Sequence, residues 1–599
     1  LFMTDQDLDG SHIKGLGINL FQDQWNSLSK INNFIGFMNT PILKAKKNSQ
    51  EMLFYNEGEF NKWKEDNSLQ GWTIKYYKGL GTSTGREFKE YFANKKLVFF
   101  NHTGENSDNR VDMIFNKKRS DERKEWLSCY ERSSYIDTSK TTVDLEEFID
   151  KELIHFSKYD CERSIPNLMD GLKISQRKIL FSAFKKNLKN EIKVAQFSGY
   201  VSEHSGYHHG EASLNAAIVG MAQNFVGSNN INLFQPNGQF GTRLQGGKDS
   251  ASERYIFTNL SKITRFIFRP EDDAVLTYLD DDGQSVEPIY YVPIIPMVLI
   301  NGAKGIGTGF STDIQSYNVF EIIRYLKQKL NNDVLNEEFH PHFKNFRGNT
   351  INLDNGKYIS KGIYKKIADN KIKISELPIG FWTDDFKQHL ENLMDKTKNK
   401  EVVLKDYNDM STDLLIDFEL TFNKSIHELN KHDNENVDGI EKLLKLYSNL
   451  STTNMHLFND KEKLEKYHDV NNIIDCYFNV RLEFYSKRKK YLIDKLKQEL
   501  SLLENKANYI VENLNGSIDL RNKKKKDIVE LLKSKNYLMI DNDEDYKYLL
   551  KMTMDSVSKE NVEKILKDRE NKKLELEYVE KTTIENMWLN ELVELEKII

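Results

Sequence analysis

The last part of the chain carries the clearest periodic pattern. From Leu482 apolar residues recur at Tyr485, Leu492, Leu496, Leu500, Leu503, Ala507, Ile510 and Leu514, in steps of three, four or seven with polar residues between. That spacing predicts an amphipathic helix of roughly 35 residues, on the order of 50 Å long, packed along a partner as in a coiled coil. Asn515-Gly516 supplies its stop. A second helical run closes the chain through Trp588, Leu592, Leu595 and Ile599. Two long helices of opposite direction, with a small helical unit between them, predict an arm that holds two subunits apart.

Upstream the pattern changes. Residues 1–130 predict a helix over 12–30 and short strands near Ile42–Lys44, Met52–Tyr55 and Thr73–Tyr77, an alternation that suits an α/β layer. The polar stretch 102–124 reads as loop or helix edge. Residues 140–270 predict helices around a Gly-rich middle, 199–247. Residues 271–470 read as α/β, with Pro-punctuated, strand-like YYVPIIPMVLI and a charged, Asn-rich insertion around 391–440. No internal repeat of fixed period is present.

Composition narrows the class. A chain of 599 residues holds several domains, and 39% hydrophobic with 30% charged residues is ordinary for a soluble protein. No apolar run approaches the roughly 18–20 residues of a membrane helix, and LFMTDQDLDG lacks the regions of a secretory leader. Cys129, Cys161 and Cys476 match no zinc or disulfide spacing, so a reducing compartment is expected. Net charge is −5, which argues weakly against nucleic acid as partner. Locally the balance reverses: from Arg163 to Lys193 eight Lys/Arg face only Asp170 and Glu191, giving +6. That stretch is a candidate phosphate track or, equally, a solvated helix face.

Several motifs offer chemistry. Asp5, Asp7 and Asp9 alternate after an apolar strand end; on an extended strand they would share a face and offer hard oxygens to Mg²⁺. The competing reading is an acidic turn that caps the next helix. A calcium loop is excluded, because its twelfth position is Leu16 rather than Glu. The loops Lys78–Ser83 and Gly302–Gly309 are Gly-rich but are not Walker A loops, and Gly246-Gly247-Lys248 is followed by Asp249. No ATP site is visible. His208 and His209 are adjacent, which does not suit a helical metal pair; hydrogen bonding to phosphate or an ordinary polar role both fit. Tyr255 follows Arg254, a suitable cationic neighbour for a phenol whose pKa is otherwise near 10. Among 28 tyrosines, local chemistry alone does not select it.

Read together, the strings resemble the eukaryotic and large-DNA-virus branch of type IIA DNA topoisomerases. TDQDLDGSHIKGL and YYKGLGTST resemble the family's TOPRIM domain, and DCERSIPNLMDGLKISQRKIL the opening of its winged-helix domain. SEHSGYHHGEASL, AQNFVGSNN, PNGQFGTRLQGGKDSASERYIF, PMVLINGAKGIGTGF and ELPIGFW follow in the family's order. One chain carries both the acidic and the tyrosine segments, as in the eukaryote-type branch. The fold implied is multidomain, α/β and α+β: the C-terminal part of a TOPRIM domain at 1–135, a winged-helix domain with the tyrosine at 140–270, an α/β tower at 271–475, and an antiparallel coiled-coil arm with a helical dimer gate at 476–599.

The resemblance also implies roles. Tyr255 would be the nucleophile and Arg254 its transition-state partner. Asp5 and Asp7 would hold Mg²⁺, in a two-metal arrangement with Asp9 in or beside the shell. Arg163, Lys173, Arg177, His208 and His209 would hold the scissile phosphate or nearby backbone, Tyr207 and Ser213 would add DNA contacts, and Ile306 would wedge between base pairs. The partners implied are duplex DNA, both cut and transported, and a second copy of the chain, with no membrane. The chain begins at Leu1 inside the acidic motif and is expected to be a fragment, since the family's metal site also takes a Glu from an earlier EGDSA-like segment. ATP would act only through an upstream ATPase domain. Cleavage, duplex passage and resealing are the activity implied; a non-cleaving DNA clamp is the alternative, and a nicking nuclease leaves Tyr255 without a purpose. The compartment implied is intracellular, the nucleus or a viral replication site.

Overall fold

Asp7 decides where the first helix begins. Its carboxylate accepts the Gly10 amide at 2.7 Å, so α1 runs Leu8–Gln24, starting earlier than expected. In the computed structural model, residues 1–599 are described apart from 78, 282, 336, 396–401, 431–435, 519, 521–522, 540–542, 544 and 553–558. Lys78 of the expected Gly-rich loop and parts of the 391–440 insertion therefore lie outside the described residues.

Helix α1 shares a core with a three-stranded sheet. Its central strand, Leu97–Asn101, is antiparallel to Gly36–Met38 and parallel to Thr142–Asp144. Ile18, Phe37, Val98, Phe100, Val143 and Phe148 fill the space between. A smaller sheet orders Gln50–Phe54, Leu43–Lys47 and Thr73–Tyr76 against the helix Glu57–Asp66, close to the expected strands. The polar stretch 102–124 is a correction. It forms the helices Glu105–Phe115 and Ser120–Ser128, because Val111, Met113, Ile114 and Trp126 reach the core from otherwise polar sequence.

A helix begins at Leu145, widens into a π-turn at Ile149–Leu153 and continues as α2 (Ile154–Ser164). Such wide turns often accompany functional sites. Here the turn carries Glu152, whose Oε1 accepts the Lys14 ammonium at 2.5 Å and the Ser11 hydroxyl at 2.7 Å. The back of α1 is thereby fastened to the start of α2.

The largest core is built on α3 (Ile174–Lys186), α4 (Val194–Ser205) and α5 (Glu211–Ala222). A short antiparallel pair, Ile192–Lys193 with Phe257–Thr258, closes one side. The hairpin of β1 (Ala303–Ile306) and β2 (Ser311–Ile314) closes another. YYVPIIPMVLI is not a strand. Pro293 and Pro296 cannot donate to a ladder, so the segment runs as buried irregular chain into the helix Met297–Asn301.

Residues 349–467 build antiparallel sheets, which makes this region α+β rather than α/β. One sheet orders Ile363–Ala368, Lys371–Glu376, Phe418–Phe422 and Leu404–Asp409 around its own core, with Phe386 and Leu390 of the helix Thr383–Met394.

The arm begins at α6 (Val470–Leu514), a single helix of 45 residues and about 68 Å at ~1.5 Å per residue. It starts before the predicted pattern and ends at Asn515-Gly516, where Gly516 takes φ +75°. The return helix α7 (Lys559–Lys581) is antiparallel to it: Glu499 meets Lys572 at 2.9 Å, while Lys489 meets the carbonyls of Glu580 and Thr582. The final helix α8 (Ile584–Glu596) folds onto the base of α6, where Trp588 stacks on Phe478 and Tyr485. A separate small core of Tyr509, Ile518, Leu532, Tyr537, Tyr546 and Leu549 lies at the far end.

Candidate functional site

Three segments converge at the C-terminal half of α2: the acidic segment before α1, the loop before α5, and the β1–β2 hairpin. Arg163, in the last turn of α2, donates to Asp9 through Nη2 at 3.2 Å and Nη1 at 3.4 Å. The same guanidinium lies 4.6 Å from the centre of the Tyr159 ring and 5.7 Å from that of Phe156. His209 Nδ1 is 3.9 Å from Asp9 Oδ2, and its Nε2 is 2.6 Å from the Tyr159 hydroxyl. Burial and then the Arg163 charge hold the His209 imidazole below its ordinary pKa, against the pull of Asp9. Burial raises the Tyr159 phenol.

The acidic triplet is not one strand face. Asp5 stays outside the helix and its Oδ1 accepts the Leu80 amide at 2.5 Å; Asp7 is the N-cap; Asp9 lies in the first helical turn and faces Arg163. A shared face requires extended backbone through Asp9, whereas the Asp7 cap turns the chain into α1. Among the described residues no group of three or more His, Cys, Asp or Glu side chains is placed to hold a metal ion. The Asp5 main chain and the Asp7 side chain both crowd Gly10: a Cβ there would lie 1.9 Å from the Asp5 carbonyl oxygen and 3.2 Å from Asp7 Oδ1. Two carboxylates fixed in direction by backbone amides are hard-oxygen donors of the kind Mg²⁺ prefers. Each of the two thus has the donor chemistry such an ion takes, with further ligands drawn from elsewhere.

Glu87 steadies the loop that touches Asp5. It accepts Tyr77 Oη at 2.6 Å, Lys75 Nζ at 3.0 Å, and Thr84 N at 2.7 Å, and so pins both ends of the segment 77–84. Gly79 in that segment has φ +123°, and a Cβ there would sit 3.1 Å from the Asp5 carboxylate. Only glycine combines that backbone with that approach.

The basic run 163–193 divides in two. Lys178 is neutralised by Glu287 and Arg163 by Asp9, two distant carboxylates that reduce the charge counted along the sequence, while Arg177 pairs with Asp170 inside the run. Arg177 is buried, with Nε and Nη2 committed to Asp170 and to the Leu172 carbonyl; this geometry fixes a loop and does not present Nε or Nη2 to a phosphate. Lys173 differs. Its ammonium donates to the Lys304 carbonyl at 2.8 Å, and burial, with no counter-charge against it among the described residues, holds it below the ordinary lysine range. Lys185, Lys186, Lys189 and Lys193 are exposed.

The remaining expected residues are spread over this surface. Tyr207 is buried and meets His209 edge-on, with ring centres 5.4 Å apart, so its ring supports the imidazole from behind. His208 lies 3.6 Å from Asp281, and Ser213 is exposed in the first turn of α5. Ile306 is 83% exposed at the tip of β1, an unusual position for so apolar a side chain. Its hairpin is seated on α2: a Cβ at Gly305 would lie 1.9 Å from the Ser164 carbonyl oxygen, and one at Gly307 2.9 Å from Cys161 Cα.

Tyr255 is 72% exposed, with the Arg254 guanidinium 5.8 Å from its ring centre. The turn that offers it is rigid. Tyr255 N donates to Ser252 O, and Val194 and Ala195 at the start of α4 donate to Ile256 O and Glu253 O. Sequence reasoning missed Tyr159, Glu87 and the Lys14–Glu152 pair. Of these only Tyr159 had a local signal, four residues before Arg163 and hence on the same helix face.

Comparison with known proteins gives a consistent answer. The family model for DNA gyrase/topoisomerase IV matches residues 163–593, and that of the C-terminal associated domain of TOPRIM matches 38–161. A DNA topoisomerase 2 of Plasmodium falciparum is 43% identical over 100% of this chain and 45% of its own length. That of Arabidopsis thaliana is 42% identical over 100% and 43%. The chain thus spans less than half the length of these curated relatives. The crystal structure of the Plasmodium falciparum topoisomerase II DNA-binding, cleavage and re-ligation domain superposes with a TM-score of 0.82 at 44% identity, covering 99% of this chain and 84% of that one. On sequence and fold together, the chain belongs to the DNA gyrase/topoisomerase IV family and resembles eukaryotic DNA topoisomerase 2 along its whole length.

Proposed function

We propose that this chain is the DNA cleavage and religation core of a type IIA topoisomerase, with Tyr255 as nucleophile. The observation that carries the reading is a phenol 72% exposed on a rigid turn, with Arg254 beside it. The solved relative described as a DNA-binding, cleavage and re-ligation domain supports it. In this reading residues 1–135 are part of a TOPRIM domain, 140–270 a winged-helix domain, 271–475 a tower, and 476–599 a coiled-coil arm with its gate.

The chemistry follows from these groups. The Tyr255 oxygen attacks a backbone phosphorus and the 3′ oxygen leaves, so one phosphodiester replaces another and a 5′-phosphotyrosine forms. Resealing reverses the exchange and needs no external energy. Arg254 and Arg163 meet the charge growing on the phosphoryl oxygens, and Lys173 adds a cation with no carboxylate partner among the described residues. Asp5 and Asp7 would hold Mg²⁺ with ligands from outside this chain's described residues; bound there, it would supply Lewis-acid stabilisation of the departing oxygen. Ile306 would enter between base pairs, unstacking one step at a cost of about a few kcal/mol, offset by contacts along the bent duplex. Two copies of the chain cut two strands, and the arm holds the pair together at its far end.

Passage of a second duplex and use of ATP belong to the complete protein. One relative is named a mitochondrial enzyme of Dictyostelium discoideum, so the family alone does not assign the nucleus. The test is covalent capture. Supercoiled DNA and Mg²⁺ are incubated with the complete protein and stopped with detergent; Tyr255→Phe is expected to bind DNA normally and form no adduct. Normal DNA binding without adducts in the unsubstituted protein would favour the clamp instead.

A further inference from the structure

Both nitrogens of the His209 imidazole are directed. Nε2 lies 2.6 Å from the Tyr159 hydroxyl, and Nδ1 faces Asp9 Oδ2 at 3.9 Å, too far for a hydrogen bond. The Tyr159 ring is itself held in place, with the Arg163 guanidinium 4.6 Å from its centre. Behind the imidazole stands the buried Tyr207 ring.

A neutral imidazole carries one N–H and one lone pair, and the partner of one nitrogen decides which nitrogen keeps the proton. A phenol that retains its proton donates to the lone pair it faces. Donation from Tyr159 to Nε2 leaves the proton on Nδ1, which points to the place where Asp9 and Arg163 meet. At 3.9 Å Asp9 does not take up that N–H. It stays available to a ligand oxygen arriving beside Arg163.

We propose that Tyr159 is a positioning residue that locks His209 in its Nδ1–H tautomer and so aims one N–H donor at a DNA phosphate oxygen held by Arg163. The proposal rests on the reading of His209 and Arg163 as phosphate ligands. It concerns orientation alone; no proton is transferred, and Tyr159 does not touch the reacting atoms.

Tyr159→Phe keeps the ring beside Arg163 and removes only the hydroxyl, so the fold is retained. The chain is labelled with ¹⁵N-histidine, His209 is assigned by its loss in His209→Gln, and imidazole proton–nitrogen correlations are recorded. His209 is expected to show a protonated Nδ1, and Tyr159→Phe to convert it to a mixture of tautomers. The same variant is expected to bind a duplex oligonucleotide roughly threefold to tenfold more weakly, the loss typical of one misdirected hydrogen bond. A protonated Nε2 in the unsubstituted chain, or an unchanged tautomer in Tyr159→Phe, would overturn the lock. If the tautomer responds but His209→Gln leaves duplex affinity unaltered, the phosphate assignment fails and the proposal fails with it, for a distinguishable reason.

Discussion

Arg163 spans the carboxylate of Asp9, with Nη2 3.2 Å from Oδ1 and Nη1 3.4 Å from Oδ2, and ties the end of α2 to the first turn of α1. Both side chains are partly exposed, so the pair itself adds only about 0–1 kcal/mol to stability. Its consequence lies in binding. A phosphate that recruits Arg163 also releases Asp9.

Arg163→Ala is therefore expected to leave the thermal midpoint nearly unchanged and to weaken duplex binding at least tenfold at low salt. The slope of log affinity against log salt is expected to fall by about one phosphate contact. Fluorescence anisotropy across a salt series reads both quantities; an unchanged slope would remove Arg163 from the interface.

Ile306→Ala separates wedge from scaffold. An 83% exposed side chain contributes little to folding, so stability is expected to hold within about 0.5 kcal/mol while bending of a bound duplex, followed by end-to-end energy transfer, decreases. Gly305→Ala is expected to do the reverse first, because its methyl would meet the Ser164 carbonyl at 1.9 Å and unseat the hairpin from α2. Loss of stability in both variants would make Ile306 a structural residue.

Asp272 is the shared counter-ion of two buried arginines at the base of the arm. Arg481 Nη2 reaches it at 2.8 Å and Arg488 Nη1 at 3.4 Å, and Arg488 also pairs with Glu591 of α8. Asp272→Ala leaves Arg481 buried without its carboxylate, at an expected cost of about 3–5 kcal/mol. Calorimetry is expected to show a lowered transition for the arm, and proteolysis is expected to open it. A change below about 1 kcal/mol would show that the junction tolerates the unpaired Arg481 charge.

Glu87 predicts a pH dependence. Burial opposes its ionisation, but hydrogen bonds from Thr84, Tyr77 and Lys75 outweigh burial and hold the carboxyl at about 2. A depressed carboxyl contributes stability above its unfolded pKa, and that contribution is lost as pH falls from about 4.5 towards 2. Glu87→Gln is expected to destabilise by about 1–3 kcal/mol at neutral pH and to flatten the acid limb in that window. An identical acid limb in the variant would reject the assignment.

Much of the architecture was legible because it is periodic. The apolar steps from Leu482 to Leu514 mark one face of α6, and the short strands near Leu43 and Thr73 fall where alternation put them. The misses have physical causes. In 102–128 four buried apolar side chains outweigh many polar ones, and in YYVPIIPMVLI the prolines veto a ladder that the hydrophobic run alone suggests. The alternation of Asp5, Asp7 and Asp9 suggests one strand face, which the cap at Asp7 replaces with the start of a helix. The hold of Asp170 and the Leu172 carbonyl on Arg177 is not legible in a basic run. Tyr159 shows only its helical spacing from Arg163, because its other partner, His209, is distant in sequence.

The most direct test is to find which side chain becomes joined to DNA. The complete protein is trapped on 3′-labelled duplex in Mg²⁺, digested, and the labelled peptide sequenced. The label is expected on the peptide that contains Arg254 and Tyr255, linked through the tyrosine oxygen to a 5′ phosphate. A label on any other residue, or a 3′ linkage, would contradict the account.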